Sequence, residues 1–468
     1  MDLPSAARGS FATRLGIIMA TAGSAVGLGN IWRFPTQAGE NGGSAFMLVY
    51  LLCIVALGLP VMIAEMVIGR RARTSAGQAF VVLAPGTAWR GLGLFMVLIP
   101  FLILSYYNVV AGWVLAYIID ALSGRFVSLG TQAAGGAADP FAANFTDFIT
   151  HPWLPVAALV VFMLMTHLVI VRGVEKGIER YSKILMPALF VLLLMLVGSA
   201  LSMPGAGDGL AFLFAPDFSA ISSSVVLSAL GQCFYSLSLC MGVVLTYASY
   251  FRRDASLPRT AITVAGIDTL IAVMAGMIIF PAVFSVPGLE PNQGPSLVFI
   301  ALPNVFNTVL SSLPVLAWLV PLLFYLLLGI ATLTSCMCLH ETVTAYLIDS
   351  HGLSRSRAAA VVSAGTIVLG VACALSFGPL SGWTLLGMGI FDLFDYVTAK
   401  LMLPVSGLLI CIFVGWRMRL VAIWKELTSY GRVKFIGLGL FMLAMRYLAP
   451  LLILLIMLSE LGVLALLA

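Results

Sequence analysis

Several residues able to do chemistry stand where the surrounding sequence is apolar enough to be membrane. Glu65 lies deep in one such run, and Asp268 in another, Ile267-Asp268-Thr269-Leu270-Ile271. A buried carboxylate without a partner is very costly, so Asp268 should meet a cation or carry a proton. Two further runs carry hydroxyls, Ala331-Thr332-Leu333-Thr334-Ser335-Cys336 and Gln232-Cys233-Phe234-Tyr235-Ser236-Leu237-Ser238-Leu239-Cys240-Met241-Gly242. Such hydroxyls often only bond back to their own helix. Clustered, they are hard oxygen ligands for a small hard cation. The stretch Gly23-Ser24-Ala25-Val26-Gly27-Leu28-Gly29-Asn30, continued by Ile31-Trp32-Arg33-Phe34-Pro35, has three glycines within seven residues, which favour no helix. Irregular backbone at membrane depth survives only where protein or a water-filled cavity satisfies it. The stretch therefore reads as a broken helix, with carbonyls for a cation and half-helix amides for a carboxylate. The alternative is a Gly-rich packing face, on which Asn30 and Arg33 would sit badly. No nucleophile–base pair, histidine cluster or disulfide framework appears: the four histidines are scattered, and the seven cysteines all fall in apolar runs. The chemistry on offer is ion and zwitterion binding, not bond-making.

The elements that must position these groups are membrane helices. The 468 residues are 61% hydrophobic and 9% charged, with mean hydropathy +1.09, and no soluble domain of that length has such a composition. At about 20 apolar residues per crossing, spans are expected near 14–37, 43–69, 90–121, 154–172, 183–203, 222–250, 260–286, 312–348, 357–377, 386–415 and 435–458, eleven in all. Basic residues concentrate before the first span and after the second, fourth, sixth, eighth and tenth, whereas Arg125 alone stands in 122–153. By the positive-inside rule the amino terminus is expected in the cytoplasm and the carboxyl terminus outside. One all-α polytopic domain over 1–468 is the expected fold.

SAVGLGNIWRFP followed by ENGGSAF resembles the first broken helix of the neurotransmitter:sodium symporters, and the resemblance runs from about Arg8 to Pro450. It implies a leucine-transporter-like fold with five spans repeated in inverted topology, about 8–203 and 222–415, with spans 1 and 6 broken. The span near 435–458 lies outside the repeat, as in the shorter bacterial members. The resemblance implies that Glu65 bonds to the broken backbone of span 6, and that Gly177 and Pro187 mark where span 5 unwinds. Arg70 and Arg71 read as topology determinants.

The same resemblance implies the site. Amides near Leu28 and Gly29, with the Tyr107 hydroxyl, take a substrate carboxylate. Carbonyls of Ala25, Tyr235, Ser236 and Leu239 take an ammonium and a sodium ion. Ser24, Ile103, Tyr235, Ser238, Met241, Ser335 and Leu339 line a largely apolar pocket, with Tyr235 as its aromatic lid. One sodium site is expected from Ala25, Asn30, Ser236 and Asp268, a second from Gly23, Val26, Ala331, Thr334 and Ser335. Gly27 stands where biogenic-amine carriers have an aspartate, which points to amino acids. Cys240 stands where the family usually has glycine, leaving the extent of unwinding in span 6 open. An outer gate joins Arg33 to Asp392 or Asp395, with Asp395 favoured; an inner gate joins Arg8 to Asp349 beside Tyr250. Ala272 replaces the serine of chloride-dependent members, so no chloride is expected. The expected function is sodium-coupled symport of a hydrophobic or aromatic α-amino acid across the plasma membrane, with no enzymatic activity and no nucleic-acid partner. A proton-coupled carrier and a non-transporting sensor are the alternatives.

Overall fold

The computed structural model describes residues 11–134, 139–286 and 297–460. Arg8, assigned above to the inner gate, lies outside the described residues. The helices that matter to the site are α1 (Arg14–Ala25), α2 (Gly29–Glu40), α3 (Ser44–Ala72), α4 (Arg90–Leu122), α5 (Leu154–Val171) and α6 (Val174–Ala200). They continue with α7 (Ser223–Ser236) and α8 (Val243–Ala248), then α9 (Leu257–Phe284), α10 (Pro314–His351), α11 (Arg355–Leu375), α12 (Ile390–Arg417) and α13 (Leu438–Ser459). Among the described residues nine of these are single helices long and apolar enough to cross a membrane, and α1 and α2 form a pair bent by 54°. Each of the eleven expected stretches is helical; the sixth comprises α7 and α8, separated by Leu237–Gly242.

The most extensive packing joins α4 to α10, with α5 and α11 laid against both. Trp113 of α4 carries aromatic contacts out of this frame, to Phe145 and Phe299 of neighbouring short helices, to Phe377 just after α11 and to Phe391 of α12. The interrupted helices sit inside a second group, with α1 against α6, α9 and α10, and α7 and α8 against α3. The reason is physical: a broken helix exposes amides and carbonyls that lipid cannot satisfy, so it must be surrounded by protein.

Three expectations change. The segment 122–153 is not a plain loop but holds the helices Arg125–Ala134 and Pro140–Thr150, joined by Arg125 Nε donating to Asn144 Oδ1 at 2.6 Å. Gly177 and Pro187 do not mark an unwound segment here: α6 is wound throughout, with Gly177 in its first, wide turn and Pro187 inside it. Arg70 is more than a topology determinant. It is wholly buried, its Nε donates to Glu426 Oε2 at 2.7 Å, and its other nitrogens donate to the carbonyls of Ala255 and Glu426. It thereby fastens the end of α3 to the short helix Leu420–Leu427.

Removing one partner of a buried ion pair strands the other charge and costs about 3–5 kcal/mol, whereas an apolar pair of similar volume is tolerated. Arg70→Ala should therefore lower the unfolding temperature in detergent strongly, and Arg70→Met with Glu426→Leu should recover most of the loss. Equal losses in the two variants would exclude a role for the pair itself.

Candidate functional site

The two helix breaks lie beside one another, and several of the freed backbone groups are met by side chains of other segments. α1 ends at Ala25, Val26 turns to extended backbone, and the chain re-enters helix at Gly29. Across this gap Asn30 Oδ1 accepts the Gly27 N–H at 2.9 Å, and the Tyr107 hydroxyl accepts the Leu28 N–H at 3.2 Å. Gln232 Nε2 donates to the Gly29 carbonyl at 3.0 Å, Ser335 Oγ to that of Val26 at 3.2 Å, and Ser238 Oγ to that of Ser24 at 2.8 Å.

The second break answers the question raised by Cys240. Ser238, Cys240 and Gly242 all adopt positive φ, 50°, 65° and 75°, a region that costs a residue with a Cβ. Cys240 is held there by both of its backbone groups: its N–H donates to Glu65 Oε2 at 2.9 Å, and its carbonyl accepts from Ser406 Oγ at 2.6 Å. The span unwinds without glycine at 240 because Glu65 and Ser406 fix the conformation.

Beside the breaks, Asn30 Nδ2 donates to Asp268 Oδ1 at 2.7 Å, to the Asp268 carbonyl at 3.1 Å and to Ser236 Oγ at 3.1 Å. Ser236 Oγ and the Tyr50 hydroxyl donate to Asp268 Oδ2 at 2.8 and 3.4 Å. Asn30, Asp268 and Tyr50 have no exposed surface, and among the described residues Asp268 has no ion-pair partner. On the opposite side of α1, Ser335 reaches Val26 as above, and a Cβ on Gly23 would lie 3.4 Å from Thr334. Thr334 Oγ1 donates to the Ala331 carbonyl at 2.9 Å.

Between these two clusters lies a cavity of about 40 Å³ lined by Ser24, Ala25, Gly27, Leu28, Gly29, Ile103, Tyr107, Tyr235, Ser238, Met241, Ser335 and Leu339, all of them expected from the sequence. Ser236 and Leu239, also expected there, do not line it: Ser236 is turned toward Asp268 and Leu239 is wholly buried. Val243 and Cys338 line it and were missed. Cys338 lies three residues after Ser335, on the same helical face, and that spacing could have found it. Gly27 has no room for a side chain: a Cβ there would meet Ser335 Oγ at 2.5 Å and the Tyr107 hydroxyl at 3.0 Å.

A second cavity, of about 390 Å³, holds Arg33, Asp392, Asp395 and Tyr106, and shares Leu28, Gly29, Tyr107 and Tyr235 with the first. Those four residues are the partition between the two spaces. Arg33 does not pair with either aspartate within ion-pair distance; its guanidinium lies 4.4 Å from the ring centre of Tyr235. At the opposite, basic end of the bundle Asp349 Oδ2 accepts the Ser75 N–H at 2.6 Å, and Tyr250 donates to Glu341 Oε1 at 2.8 Å. Glu341 also pairs with Arg355, whose Nε donates to the Ile170 carbonyl at 2.7 Å. Glu179 accepts from Ala12 N at 2.7 Å and Thr13 Oγ1 at 2.8 Å, filling the space over Gly16 where a Cβ would collide with it. Arg355 and Glu179 were not expected in this role.

A multi-span helical bundle with two interrupted helices around a small cavity, and a larger space beyond it, is built as a carrier. The particular family follows from the sequence as a whole. A profile of the sodium:neurotransmitter symporter family matches residues 8–128 and 143–466. An uncharacterised sodium-dependent transporter of Bacillus subtilis is 37% identical over 97% of this chain and 98% of its own, and one of Haemophilus influenzae is 34% identical over 97% and 98%. The crystal structure of MhsT in complex with L-phenylalanine superposes with a TM-score of 0.86 at 43% identity, covering 97% of this chain and all of that one. The chain belongs to the sodium:neurotransmitter symporter family and is a sodium-dependent transporter, not an enzyme.

Overpacking a tight site costs about 1–3 kcal/mol. Gly27→Ala should lower the unfolding temperature, and adding Ser335→Ala, which removes the oxygen its Cβ strikes, should restore a substantial part of it. A non-additive recovery in this double-mutant cycle is the expected result; strict additivity would show that the two residues do not collide.

Proposed function

We propose that the protein is a plasma-membrane symporter that couples sodium to the uptake of a hydrophobic or aromatic α-amino acid. The observation that carries the reading is Asp268, a fully buried carboxylate with three hydrogen-bond donors and no cationic side chain beside it among the described residues. Such a group needs a cation, and the site is assigned to the Asp268 carboxylate, the Ser236 hydroxyl, Asn30 and the Ala25 carbonyl at the adjacent break; Asn30 turns its Nδ2 to Asp268 and Ser236 and its Oδ1 to the Gly27 N–H. The second sodium site is assigned to Thr334, Ser335 and the carbonyls of Gly23, Val26 and Ala331. The Leu28 amide and the Tyr107 hydroxyl, bonded to each other across the break, take the substrate carboxylate; carbonyls of the second break take the ammonium. A crowded Gly27 leaves no space for an acid, so the carboxylate arrives with the substrate. Ile103, Met241, Val243 and Leu339 give the cavity an apolar wall, and the MhsT structure, similar over nearly the whole chain, carries L-phenylalanine.

Tyr235 covers the site, and Arg33 with Asp395 forms the gate above it; all three line the outer vestibule. Asp395 is preferred to Asp392 because it faces both Arg33 and Tyr106. The inner gate comprises Arg8, Asp349 and Tyr250. The domain is read as two inverted five-span repeats with the amino terminus in the cytoplasm.

Chloride is not required in this reading. Placed about 5 Å from Asp268, an anion would be opposed by roughly 3 kcal/mol at an effective dielectric near 20, and Ala272 offers it no hydroxyl. In proteoliposomes an inward sodium gradient should drive uptake of labelled phenylalanine or leucine, and replacing chloride by gluconate should leave the rate unchanged. Strict chloride dependence would overturn the assignment of Asp268, and uptake driven by a proton gradient without sodium would favour a proton-coupled carrier.

Arg33 is laid over the Tyr235 ring, a contact worth about 0.5–1 kcal/mol outside a desolvated site, so a gate of this kind can open on every cycle. Arg33→Ala should cut transport far more than equilibrium binding of the same amino acid. Normal transport by this variant would remove Arg33 from the gate.

A further inference from the structure

At the basic end of the bundle, away from the transport site, four arginines from three distant segments converge. Arg73 follows α3, Arg252 and Arg253 follow α8, and Arg432 follows the helix Leu420–Leu427. Together with Asp254 they line a concavity of about 350 Å³. The charges are poorly balanced. Asp254 sits 3.3 Å from Arg252, and Glu426, the other carboxylate at this corner, is turned to Arg70 and to the Tyr430 hydroxyl. Burial, with the charges of Arg253 and Arg70 added to it, holds Arg73 below the usual arginine range. The positive-inside rule accounts for basic residues at this end but does not require them to face one another.

Two of the arginines are also held in place. Arg73 adopts a left-handed φ of 57° and its Nη1 donates to the Phe251 carbonyl at 2.8 Å. Arg253 lies 5.4 Å from the ring centre of Tyr430, in a turn fixed by Ser429 Oγ donating to the Ala255 carbonyl at 2.9 Å. All four are arginines, whose planar fork suits phosphate oxygens better than a lysine does. Beside the concavity the helix Leu420–Leu427 packs Ile423 and Leu427 inward and exposes Leu420, Val421 and Trp424 on the other side. A helix apolar on its free face and flanked by Arg419 and Lys425 lies in a membrane interface, which places the concavity at headgroup depth.

We propose that Arg73, Arg252, Arg253 and Arg432 bind the phosphodiester headgroup of an anionic phospholipid in the leaflet at the basic end of the molecule. The acyl chains run along the exposed face of Leu420, Val421 and Trp424. A juxtamembrane cluster of basic residues attracts anionic lipid in this way, and the convergence of four of them on one cavity makes the attraction a site.

The test uses the purified full chain, stripped of lipid in detergent and titrated with phosphatidylglycerol or phosphatidylcholine while bound lipid is counted by native mass spectrometry. The unmodified protein should retain phosphatidylglycerol in preference to phosphatidylcholine. Arg253→Gln with Arg432→Gln, neither of which holds a backbone carbonyl, should weaken phosphatidylglycerol retention by about tenfold or more. Lys176→Gln with Arg180→Gln, exposed at the same end but outside the concavity, should leave it unchanged. The proposal fails if the first pair retains the lipid normally, or if the second pair loses as much. It also fails if inorganic phosphate at millimolar concentration displaces the lipid, which would make this a site for a soluble phosphate.

Discussion

A membrane interior offers no water to a backbone amide or carbonyl, and the rest of this structure follows from that constraint at two places. Where α1 gives way to α2, and α7 to α8, freed groups must be met by side chains. Those partners come from Asn30 and Tyr107, from Glu65 and Ser406, and from Gln232, Ser238 and Ser335. Each leaves one element to reach another, so the register of α3, α4, α10 and α12 is fixed by the breaks as much as by apolar packing. A buried polar group left unmet costs about 1–3 kcal/mol, and several such groups share this small volume. The cavity is therefore not a gap left by loose packing. It is bounded in part by polar groups that have already found protein partners.

The two ends of the bundle are closed by different means. At the basic end the closing contacts are buried: Glu179 with the start of α1, Tyr250 with Glu341 and Arg355, and Phe11 edge-on to Tyr247 and Tyr250. On the vestibule side the closure is one ring, Tyr235, with the guanidinium of Arg33 laid over it. An arginine on an aromatic face outside a fully buried site is worth about 0.5–1 kcal/mol, so this side is the easier to open. The molecule is described with its vestibule formed and its basic end shut, which is the arrangement a carrier needs when it receives cargo from the vestibule.

The apolar background made the site unusually legible in the sequence. Against runs of leucine and valine, Asp268, Glu65, the Thr334–Ser335 pair and the glycines around Gly27 stand out, because each is expensive in lipid and needs a reason. Their roles came from the resemblance, and the side chains expected to share a cavity almost all do. What stayed hidden depends on contacts between distant segments. Arg70 reads as a loop charge until it meets Glu426, 356 residues away. Nothing in the sequence marks Glu179 and Arg355, which hold the start of α1 and Glu341. Cys240 carries no mark of its left-handed backbone, since only its neighbours enforce it. The helices at Arg125–Ala134 and Pro140–Thr150 escaped because amphipathic surface helices lack the long apolar run that identifies a span.

Charge placement around α1 separates the two kinds of ligand the site is proposed to hold. On one side of the break Asp268 supplies a fixed negative charge and is approached through Asn30 and Ser236, a setting suited to a cation that must shed its water. On the other side the Leu28 amide and the Tyr107 hydroxyl are donors or can become so, and Gly27 is crowded too closely by Ser335 for any carboxylate of the protein to enter. The protein thus provides the anion where it can be shielded by hydrogen bonds and withholds it where the substrate brings its own. Exchanging the two arrangements, with an acid at 27 and a neutral residue at 268, would leave the cation without its fixed partner and set two carboxylates against the same helix end. In the proposed reading the glycine at 27 and the aspartate at 268 are one choice, and it favours a zwitterion over an amine.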